Sequence, residues 1–197
     1  SGSLPHINEV ESLLSDQLQK LGQVARVSDL ASAIKADASR LDQARLAFLA
    51  QLCPNLVVIA EDDNYYHAVA IKATHDEAAV KKLVQAIIDT IKQAGQPAAM
   101  TAIAKAAGID TPEHAAALAS TSKSLATLNG QWGLTKWPMV NPKNIRDKIY
   151  VILHEKGTHM HFNDIAAAIK DSSFKRKDVT TQAIHNELIK DKRFVLI

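Results

Sequence analysis

The residues best suited to chemistry lie near the C-terminus, where a run of cations precedes a polar helical segment. Lys175, Arg176 and Lys177 form a basic turn, and the residues after it carry hydroxyl, amide and imidazole groups at helical spacing. Lysine and arginine bind phosphate, and glutamine and asparagine can each pair with adenine through two hydrogen bonds. This arrangement predicts contact with a nucleic-acid duplex; the alternative is a solvated polar face beside a charged turn.

The candidate contacts fall into two groups by their chemistry. The predicted base-reading side chains are Thr181, Gln182, His185 and Asn186. The predicted phosphate-binding side chains are Lys175, Arg176, Lys177, Lys190, Lys192 and Arg193. Double-stranded DNA is therefore the expected partner of this segment, and no cofactor or small-molecule substrate is expected.

Three histidines, His154, His159 and His161, raise the question of a metal site. His159 and His161 alternate along a predicted strand, so they project to one face. A metal would still need a third or fourth ligand, and no cysteine or well-placed carboxylate offers one. We therefore expect surface or packing roles for these histidines and no metal.

Catalytic patterns are missing from the sequence. It has no Gly-rich phosphate loop, no G-x-S-x-G and no H-E-x-x-H. The lone Cys53 precedes Pro54 at a helix end, which favours packing over nucleophilic attack and fits a reducing compartment. Glu113 and His114 form an ordinary first-turn pair. No enzyme activity is expected.

The elements that would position the basic segment occur three times along the chain. Counting from Gly157, an apolar residue stands at +5, a helix-capping type at +6, apolar residues at +8 and +12, and alanines at +9 and +11. Counting from Gly22 and Gly95 gives the same pattern without a gap, apart from alanine at +12 after Gly95. The predicted caps at +6 are Ser28, Thr101 and Asn163. We interpret this as one unit present in three copies.

The predicted fold is mainly α with short β hairpins (α+β), made of three tandem winged helix-turn-helix modules. The first module spans residues 4–73, the second 76–138 and the third 142–197, and we expect the second and third to pack together. The charge rises from −3 in residues 1–75 to +1 in 76–141 and +4 in 142–197. Any polyanion contact is therefore expected in the third module.

Local signals predict the boundaries of the elements in the first module. Asn8 is expected to cap its first helix, and a third helix from about Ser39 to Leu52 is expected to bury one apolar stripe. The runs LVVIA and YYHAVAI around EDDN predict a hairpin, or wing, with an acidic tip. The predicted inner stripe of the third helix consists of Leu41, Ala44, Phe48 and Leu52.

The other two modules carry signals of the same kind. A helix is expected from about Asp76 to Ala94, a helix capped by Thr111 and begun by Pro112, and a turn at Asn129-Gly130. In the third module Asn141 is expected to cap a helix, residues 159–162 to form a strand, and the last helix to start near Asp178 or Thr180. Residues 194–197 are expected to begin a wing whose returning strand is missing.

Two tryptophans near the proline-flanked connector admit two interpretations. Trp132 and Trp137 could stack on single-stranded bases, or they could fill the seam between the second and third modules. Their size and their place beside Pro138 favour the seam.

Composition places the chain among ordinary globular proteins. It is 47% hydrophobic and 22% charged, and no apolar run reaches the ~18 residues of a membrane span. A cytoplasmic, nucleoid-associated location is expected. The opening Ser1-Gly2-Ser3 is typical of a tag remnant, so we expect the sequence to be a piece of a longer protein.

The C-terminal third resembles a known family. The run WPMVNPKNIRDKIYVILHEKGTHMHFNDIAAAIK, followed by TTQAIHNELIKDKRFVLI, resembles the HARE-type winged helix-turn-helix domain over about residues 131–197. That domain is known from the delta subunit of bacterial RNA polymerase, from chromatin-associated proteins, from restriction systems and from bacterial proteins with sigma-factor-like segments. The family's Gly-Arg-Gly-aromatic wing strand is absent here, and Ala167 stands where many members carry a charge.

The resemblance implies a transcription-associated role in a bacterial protein. The third module would contact DNA, and the first two would position it or bind a protein such as RNA polymerase. The alternative is a protein-protein adaptor, similar to the polymerase delta subunit, that does not touch DNA. The acidic tip of the first wing favours the adaptor, and the basic residues of the third module favour DNA binding.

Overall fold

The computed structural model describes residues 4–34 and 40–195, with side chains described over 6–34 and 42–195. In this part of the chain, nine helices and two small three-stranded antiparallel sheets confirm a mixed α+β fold. The chain divides into two compact units, residues 1–125 and 126–197, called here the N-terminal and C-terminal units. Among the described residues, no helix combines the length and the apolarity that crossing a membrane requires.

The N-terminal unit contains six helices and four complete strands within its described residues. In chain order they are α1 (Leu4–Leu21), β1 (Val24–Arg26), α2 (Val27–Ala33), α3 (Arg40–Gln51), β2 (Leu56–Ile59), β3 (Ala68–Ile71), α4 (Glu77–Ala94), β4 (Ala98–Ala99), α5 (Met100–Ala107) and α6 (Pro112–Ser120). The predicted cap Asn8 is wrong, because α1 already begins at Leu4 and Asn8 lies inside it.

The first sheet places β3 between β1 and β2. Ala70 faces Val24 of β1 and Val57 of β2, and both pairings are antiparallel. The predicted hairpin is therefore confirmed, but residues 60–67 connect its strands, which is longer than the expected four-residue turn. Asp62 organises this loop, since its Oδ1 accepts hydrogen bonds from the backbone N–H groups of Asn64 and Tyr65.

The apolar core beneath this sheet is built from α1, α2, α3 and the strands. Leu14, Leu18 and Leu30 are fully buried at its centre. On α3 the buried residues are Leu46, Ala47 and Ala50. The predicted inner stripe is wrong in three of its members, because Ala44 is exposed, Phe48 is 61% exposed and Leu52 is 46% exposed. The fourth member, Leu41, has its side chain outside the described residues.

Helices α4 and α6 follow their sequence signals closely. Asp76 caps α4 by accepting a hydrogen bond from the Ala79 N–H group, and α4 ends at Gly95 in the left-handed conformation. Thr111 caps α6 with Pro112 as its first residue, as predicted. Short polar caps therefore define both helices.

Three helices begin at the same distance from a glycine. Helix α2 starts five residues after Gly22, α5 five after Gly95, and α8 (Phe162–Asp171) five after Gly157. All three glycines have positive φ, at 103°, 69° and 66°. The turn at each glycine and the start of the next helix are thus set at fixed positions.

The helix caps predicted at +6 are wrong in all three places. The N-cap residues are Arg26, Ala99 and His161, at +4, so Ser28, Thr101 and Asn163 lie inside the helices. The apolar residue at +5 takes the first helical position, where Val27 and Met100 are buried. Burial of that side chain outweighs the roughly 1 kcal/mol that a polar cap contributes.

The C-terminal unit combines a hairpin with three helices. The hairpin is formed by β5 (Leu125–Leu128), whose first residue is the last of the N-terminal unit, and β6 (Gln131–Leu134). The helices are α7 (Ile145–Lys156), α8 and α9 (Thr181–Lys190). The predicted turn is confirmed: Asn129 and Gly130 have φ of 53° and 76°, as in a type I′ turn. Asn129 accepts a hydrogen bond from Ser173 at 2.9 Å and donates one to Glu155, which ties the hairpin to the helices.

Two expectations for this unit are wrong. Asn144, rather than Asn141, caps α7 by accepting from the Asp147 N–H group, and Asn141 instead donates its side-chain amide to the Thr135 carbonyl. Residues 159–162 form no strand, since 159–161 are irregular and Phe162 starts α8. Phe194 and Val195 are not in a strand either, and residues 196–197 of the expected wing lie outside the described residues.

The segment between β6 and α7 is a compact turn packed on the hairpin. Trp137 donates its backbone N–H to the Leu134 carbonyl and accepts from Val140 and Asn141. Its ring covers Gly133 so closely that a Cβ atom there would lie 2.7 Å from the ring edge. Trp137 thus packs on a neighbouring strand of its own unit.

Candidate nucleic-acid interface

The main chain of the basic turn, residues 175–177, is hydrogen-bonded by one buried cation. Lys148 of α7 is only 7% exposed, and its Nζ donates a hydrogen bond of 2.6 Å to the carbonyl oxygen of Arg176. Phe174 and Val179, on either side of the turn, are buried in the core of the unit. The main chain is fixed at three points, and the side chains of Lys175, Arg176 and Lys177 are exposed.

Helix α9 follows the turn directly. Thr180 caps it by accepting a hydrogen bond from the Ala183 N–H group, which decides between the two predicted start points. Ile184 and Leu188 are buried against α7 and α8, as predicted. The opposite side of α9 is exposed to solvent.

The four predicted base-reading residues are not equivalent in the structure. Thr181, Gln182 and Asn186 are exposed. Gln182 Nε2 donates to Asn186 Oδ1 at 3.0 Å, so these two amides are paired with each other. His185 is half-buried, and its ring lies edge-on against Phe162 with 5.5 Å between centroids. Of the four predicted base-reading residues, Thr181, Gln182 and Asn186 therefore face outward on α9.

The predicted phosphate-binding cations also divide into two kinds. Lys175, Arg176, Lys177, Lys190 and Lys192 have exposed side chains. Arg193 is engaged by acids: its guanidinium lies 2.7 Å from Asp191 and 4.0 Å from Asp147. The hydrogen bonds from Arg193 lower the pKa of Asp191 to about 2, and the same contacts raise the pKa of Arg193. Arg193 is thus the cation least available to phosphate.

A shallow groove of about 500 Å³ brings some of these cations together with others that sequence reasoning missed. Arg176 and Lys190 line it, and so do Lys143, just before α7, and Arg146 and Lys148 in the first turns of α7. The acids on its wall are Asp178, Glu187 and Asp191, and Arg146 lies 3.6 Å from Glu187. Gln182 and Asn186 do not line this groove. The spacing of three cations, Lys143, Arg146 and Lys148, around the start of α7 was the signal in the sequence that could have indicated them.

The three candidate metal ligands form no ligand cluster in the described part of the chain. His161 caps α8, with its Nδ1 accepting the Asn163 N–H group at 3.2 Å, and His154 packs against Tyr150. Across residues 4–34 and 40–195, no three histidine, cysteine or acidic side chains converge in a way that could hold a metal ion. His159 and His161 border an apolar groove of about 520 Å³ beside Phe162 and Phe194.

Cys53 is buried just after the end of α3, in the packing role that its sequence position indicated. Its side chain is 2% exposed, and the thiol donates to the Leu49 carbonyl at 3.3 Å. Burial, and next the charge of Glu11, raises the pKa of the thiol, which disfavours the reactive thiolate.

The acidic loop of the first hairpin is partly neutralised within its own unit. Glu61 pairs with Lys123 at 2.9 Å, and the guanidinium of Arg26 stacks 3.7 Å above the ring of Tyr66. Backbone N–H groups lower the pKa of Asp62, which holds it as a carboxylate. This surface remains unfavourable for phosphate.

Comparison with known proteins adds no constraint. No protein-family model matches the sequence, and no curated protein matches it. Functional inference therefore rests on the residues and geometry described above.

Proposed function

We propose that this chain is a tandem array of three winged helix-turn-helix modules with a transcription-associated role. The proposal is supported by the three glycines at positive φ, each followed after five residues by a short helix. It is also supported by the first two hairpins, each of which follows the third helix of its module. In the third module the same position after α9 is occupied by Phe194 and Val195.

We further propose that the third module binds duplex DNA through the basic turn and α9. The observation that carries this proposal is the turn itself: three adjacent cations are exposed while the main chain beneath them is fixed by Lys148. A fixed turn lowers the cost of ordering the backbone on binding. Contacts to phosphate would then supply most of the affinity and its salt dependence.

The outward face of α9 would enter the major groove. Thr181, at the first position of the helix, and Gln182 and Asn186 would face base edges. The two amides now satisfy each other, so reading an adenine would exchange their mutual hydrogen bond for two to the base. Because both are exposed, the exchange costs little. His185 would support Phe162 rather than contact DNA.

Fluorescence anisotropy with a labelled duplex tests the proposal. The parent protein is compared with a variant carrying Lys175→Glu, Arg176→Glu and Lys177→Glu. We expect binding of the parent that weakens steeply with salt, and loss of at least tenfold in affinity in the variant. Circular dichroism checks that the variant keeps its helices.

A matched control separates local contact from bulk charge. Lys82, Lys92 and Lys105 are exposed cations of the N-terminal unit, and changing all three to glutamate makes the same change in net charge. The proposal expects this control to bind nearly as well as the parent. Equal losses in both variants would contradict a local interface.

The second candidate function is a protein-protein adaptor, and a specific observation favours it for the N-terminal unit. Helix α3, which occupies the place of a recognition helix, exposes Phe48, and Leu52 just after its end is exposed as well. The neighbouring hairpin loop is acidic. Such a face suits a protein better than phosphate. If the parent shows no duplex affinity even at low salt, the adaptor is the remaining function; RNA polymerase would be the first partner to try, because of the HARE-type resemblance.

A further inference from the structure

Helix α9 carries one exposed large apolar side chain, that of Ile189. Of the leucine, isoleucine and valine side chains that the structure describes in the C-terminal unit, only those of Ile189 and Val195 are exposed. Ile189 is 59% exposed and belongs to α9, whereas Val195 lies beyond the helix. Single exposed apolar residues are common on protein surfaces. What distinguishes Ile189 is its position on α9.

Ile189 lies on the same face of α9 as the two exposed amides. Gln182, Asn186 and Ile189 follow one another at steps of four and three residues, so they form one stripe along the helix. The side chains of Gln182 and Asn186 touch, with 3.0 Å between Nε2 and Oδ1. Ile184 and Leu188 are buried on the opposite side. The outward stripe thus places an apolar group beside a polar pair.

The side-chain types on this stripe match the major-groove edge of an A·T pair. An asparagine or glutamine amide can pair with adenine, and an apolar side chain can contact the C5-methyl group of thymine. A G·C pair has no methyl group there, and its guanine is most often read by arginine or lysine. Lys190, the only lysine or arginine of α9, instead lines the groove beside α7. The stripe therefore favours A·T over G·C.

The spacing of the stripe fits neighbouring base pairs. Along the helix axis Ile189 lies about 4.5 Å beyond Asn186, since each residue adds about 1.5 Å. Successive base pairs of a duplex are about 3.4 Å apart. With α9 lying along the major groove, an Asn186 that faces an adenine places Ile189 over the neighbouring base pair.

We infer that Ile189 is a specificity-determining residue of the third module, and that it contacts the C5-methyl group of a thymine beside an adenine read by Asn186 or Gln182. The inference rests on the DNA-binding function proposed above and adds the base composition of the bound site. The basic turn holds the duplex through phosphates, which carry no sequence information directly. Ile189 and the two amides supply the preference for A·T pairs.

The expected size of the effect follows from the burial of one methyl group. Such burial changes an affinity by about fourfold. Deoxyuridine differs from thymidine only by lacking this methyl group, so a uracil duplex carries the same phosphates as its thymine counterpart. The slope of log K against log salt should therefore be the same for both duplexes. The methyl contact is thereby separated from the charge contacts of the basic turn.

Replacing thymine by uracil in the DNA tests the inference. Two labelled duplexes are compared by fluorescence anisotropy; both have central A·T pairs in mixed order, and one carries deoxyuridine at every thymine position. We expect the parent protein to bind the thymine duplex about fourfold more tightly than the uracil duplex, with equal salt slopes. Ile189→Ala should lose this preference.

Two further variants serve as controls. Ile189→Val keeps a branched apolar side chain and should retain most of the thymine preference. Leu13→Ala shortens an exposed apolar side chain of α1, 49% exposed, and should retain all of it. Any effect of uracil on the shape of the duplex remains in Ile189→Ala, so comparing both proteins on both duplexes isolates the Ile189 contact. Circular dichroism checks that each variant keeps its helices.

The outcomes separate this inference from the function on which it rests. A parent protein that binds both duplexes equally well, or an Ile189→Ala variant that keeps the preference of the parent, would overturn the role of Ile189 and leave DNA binding by the third module intact. If the parent protein binds neither duplex at low salt, the DNA-binding function itself is contradicted, and the role of Ile189 with it.

Discussion

Replacing Lys148 by methionine separates the positioning of the basic turn from direct contact with DNA. Lys148 is buried, and its ammonium group makes one hydrogen bond, to the Arg176 carbonyl. Methionine fills a similar volume and removes both the bond and a buried charge. We expect a stability change within about 1 kcal/mol, because the loss of a charged hydrogen bond is offset by the lower desolvation cost.

The effect on binding should be larger than the effect on stability. Without its anchor, the segment 175–177 gains backbone freedom that binding must remove, at roughly 1–2 kcal/mol for each residue ordered. Because Phe174 and Val179 still hold its ends, we expect binding to pay the ordering cost of about one residue. This cost corresponds to a loss of about tenfold in affinity. Hydrogen exchange of the Arg176 and Lys177 amides should become faster in the same variant.

The matched control is Lys143→Met, which removes an exposed cation of the same groove. If Lys143 contacts phosphate, its loss lowers the slope of log K against log salt by about 0.9. Lys148→Met should leave that slope unchanged, because a buried ammonium does not contact phosphate. A slope reduced by about 0.9 in Lys148→Met, or an unchanged affinity, would refute the positioning role.

Three further predictions concern the C-terminal unit alone. Gly133→Ala should destabilise it by about 1–3 kcal/mol in thermal unfolding, because the new Cβ meets the Trp137 ring at 2.7 Å; unchanged stability would mean that the ring moves freely. Ile184→Ala should cost about 2–5 kcal/mol in urea unfolding, since Ile184 is fully buried, and a loss below 1 kcal/mol would contradict that burial. The Asp191 carboxyl should titrate at about pH 2 by NMR and move towards its ordinary value in Arg193→Ala; an equal pKa in both proteins would rule out the ion pair as the cause.

The sequence predicted the positions of the turns and helices well and their capping residues poorly. Gly95 and Gly157 end helices in the left-handed conformation, which few other residues adopt easily, so the pattern after them was reliable. The +6 caps failed because an apolar residue at +5 enters the core with the first turn. Cap preference is worth roughly 1 kcal/mol, and tertiary burial outweighs it.

The buried face of α3 could not be chosen from periodicity. Its sequence, RLDQARLAFLAQ, has apolar residues on more than one side, and the larger ones gave the stronger signal. The structure buries Leu46, Ala47 and Ala50 instead. Alanine permits close approach of the neighbouring elements, so Phe48 is left outside. A pattern of hydrophobicity does not encode that distance.

The sequence predicted the exposed charged residues of the candidate interface but not the buried residue that holds them in place. The exposed basic turn and the polar face of α9 follow directly from local sequence. Lys148 was missed because a lysine in a helical pattern gives no sign that it will be buried. Its hydrogen-bond partner, the Arg176 carbonyl, is 28 residues away in the sequence. His114 was interpreted as an ordinary first-turn residue. In the structure its Nε2 atom contacts the Nε2 atom of His75, which is too distant in the sequence for local patterns to indicate the contact.

The most direct test of the central claim is the salt dependence of duplex binding by the parent and by a variant carrying Lys175→Gln, Arg176→Gln and Lys177→Gln. If these three side chains each contact a phosphate, the slope of log K against log salt should fall in magnitude by about 2.7 in the variant. Equal slopes for the two proteins would contradict the claim that this turn is the DNA-binding surface.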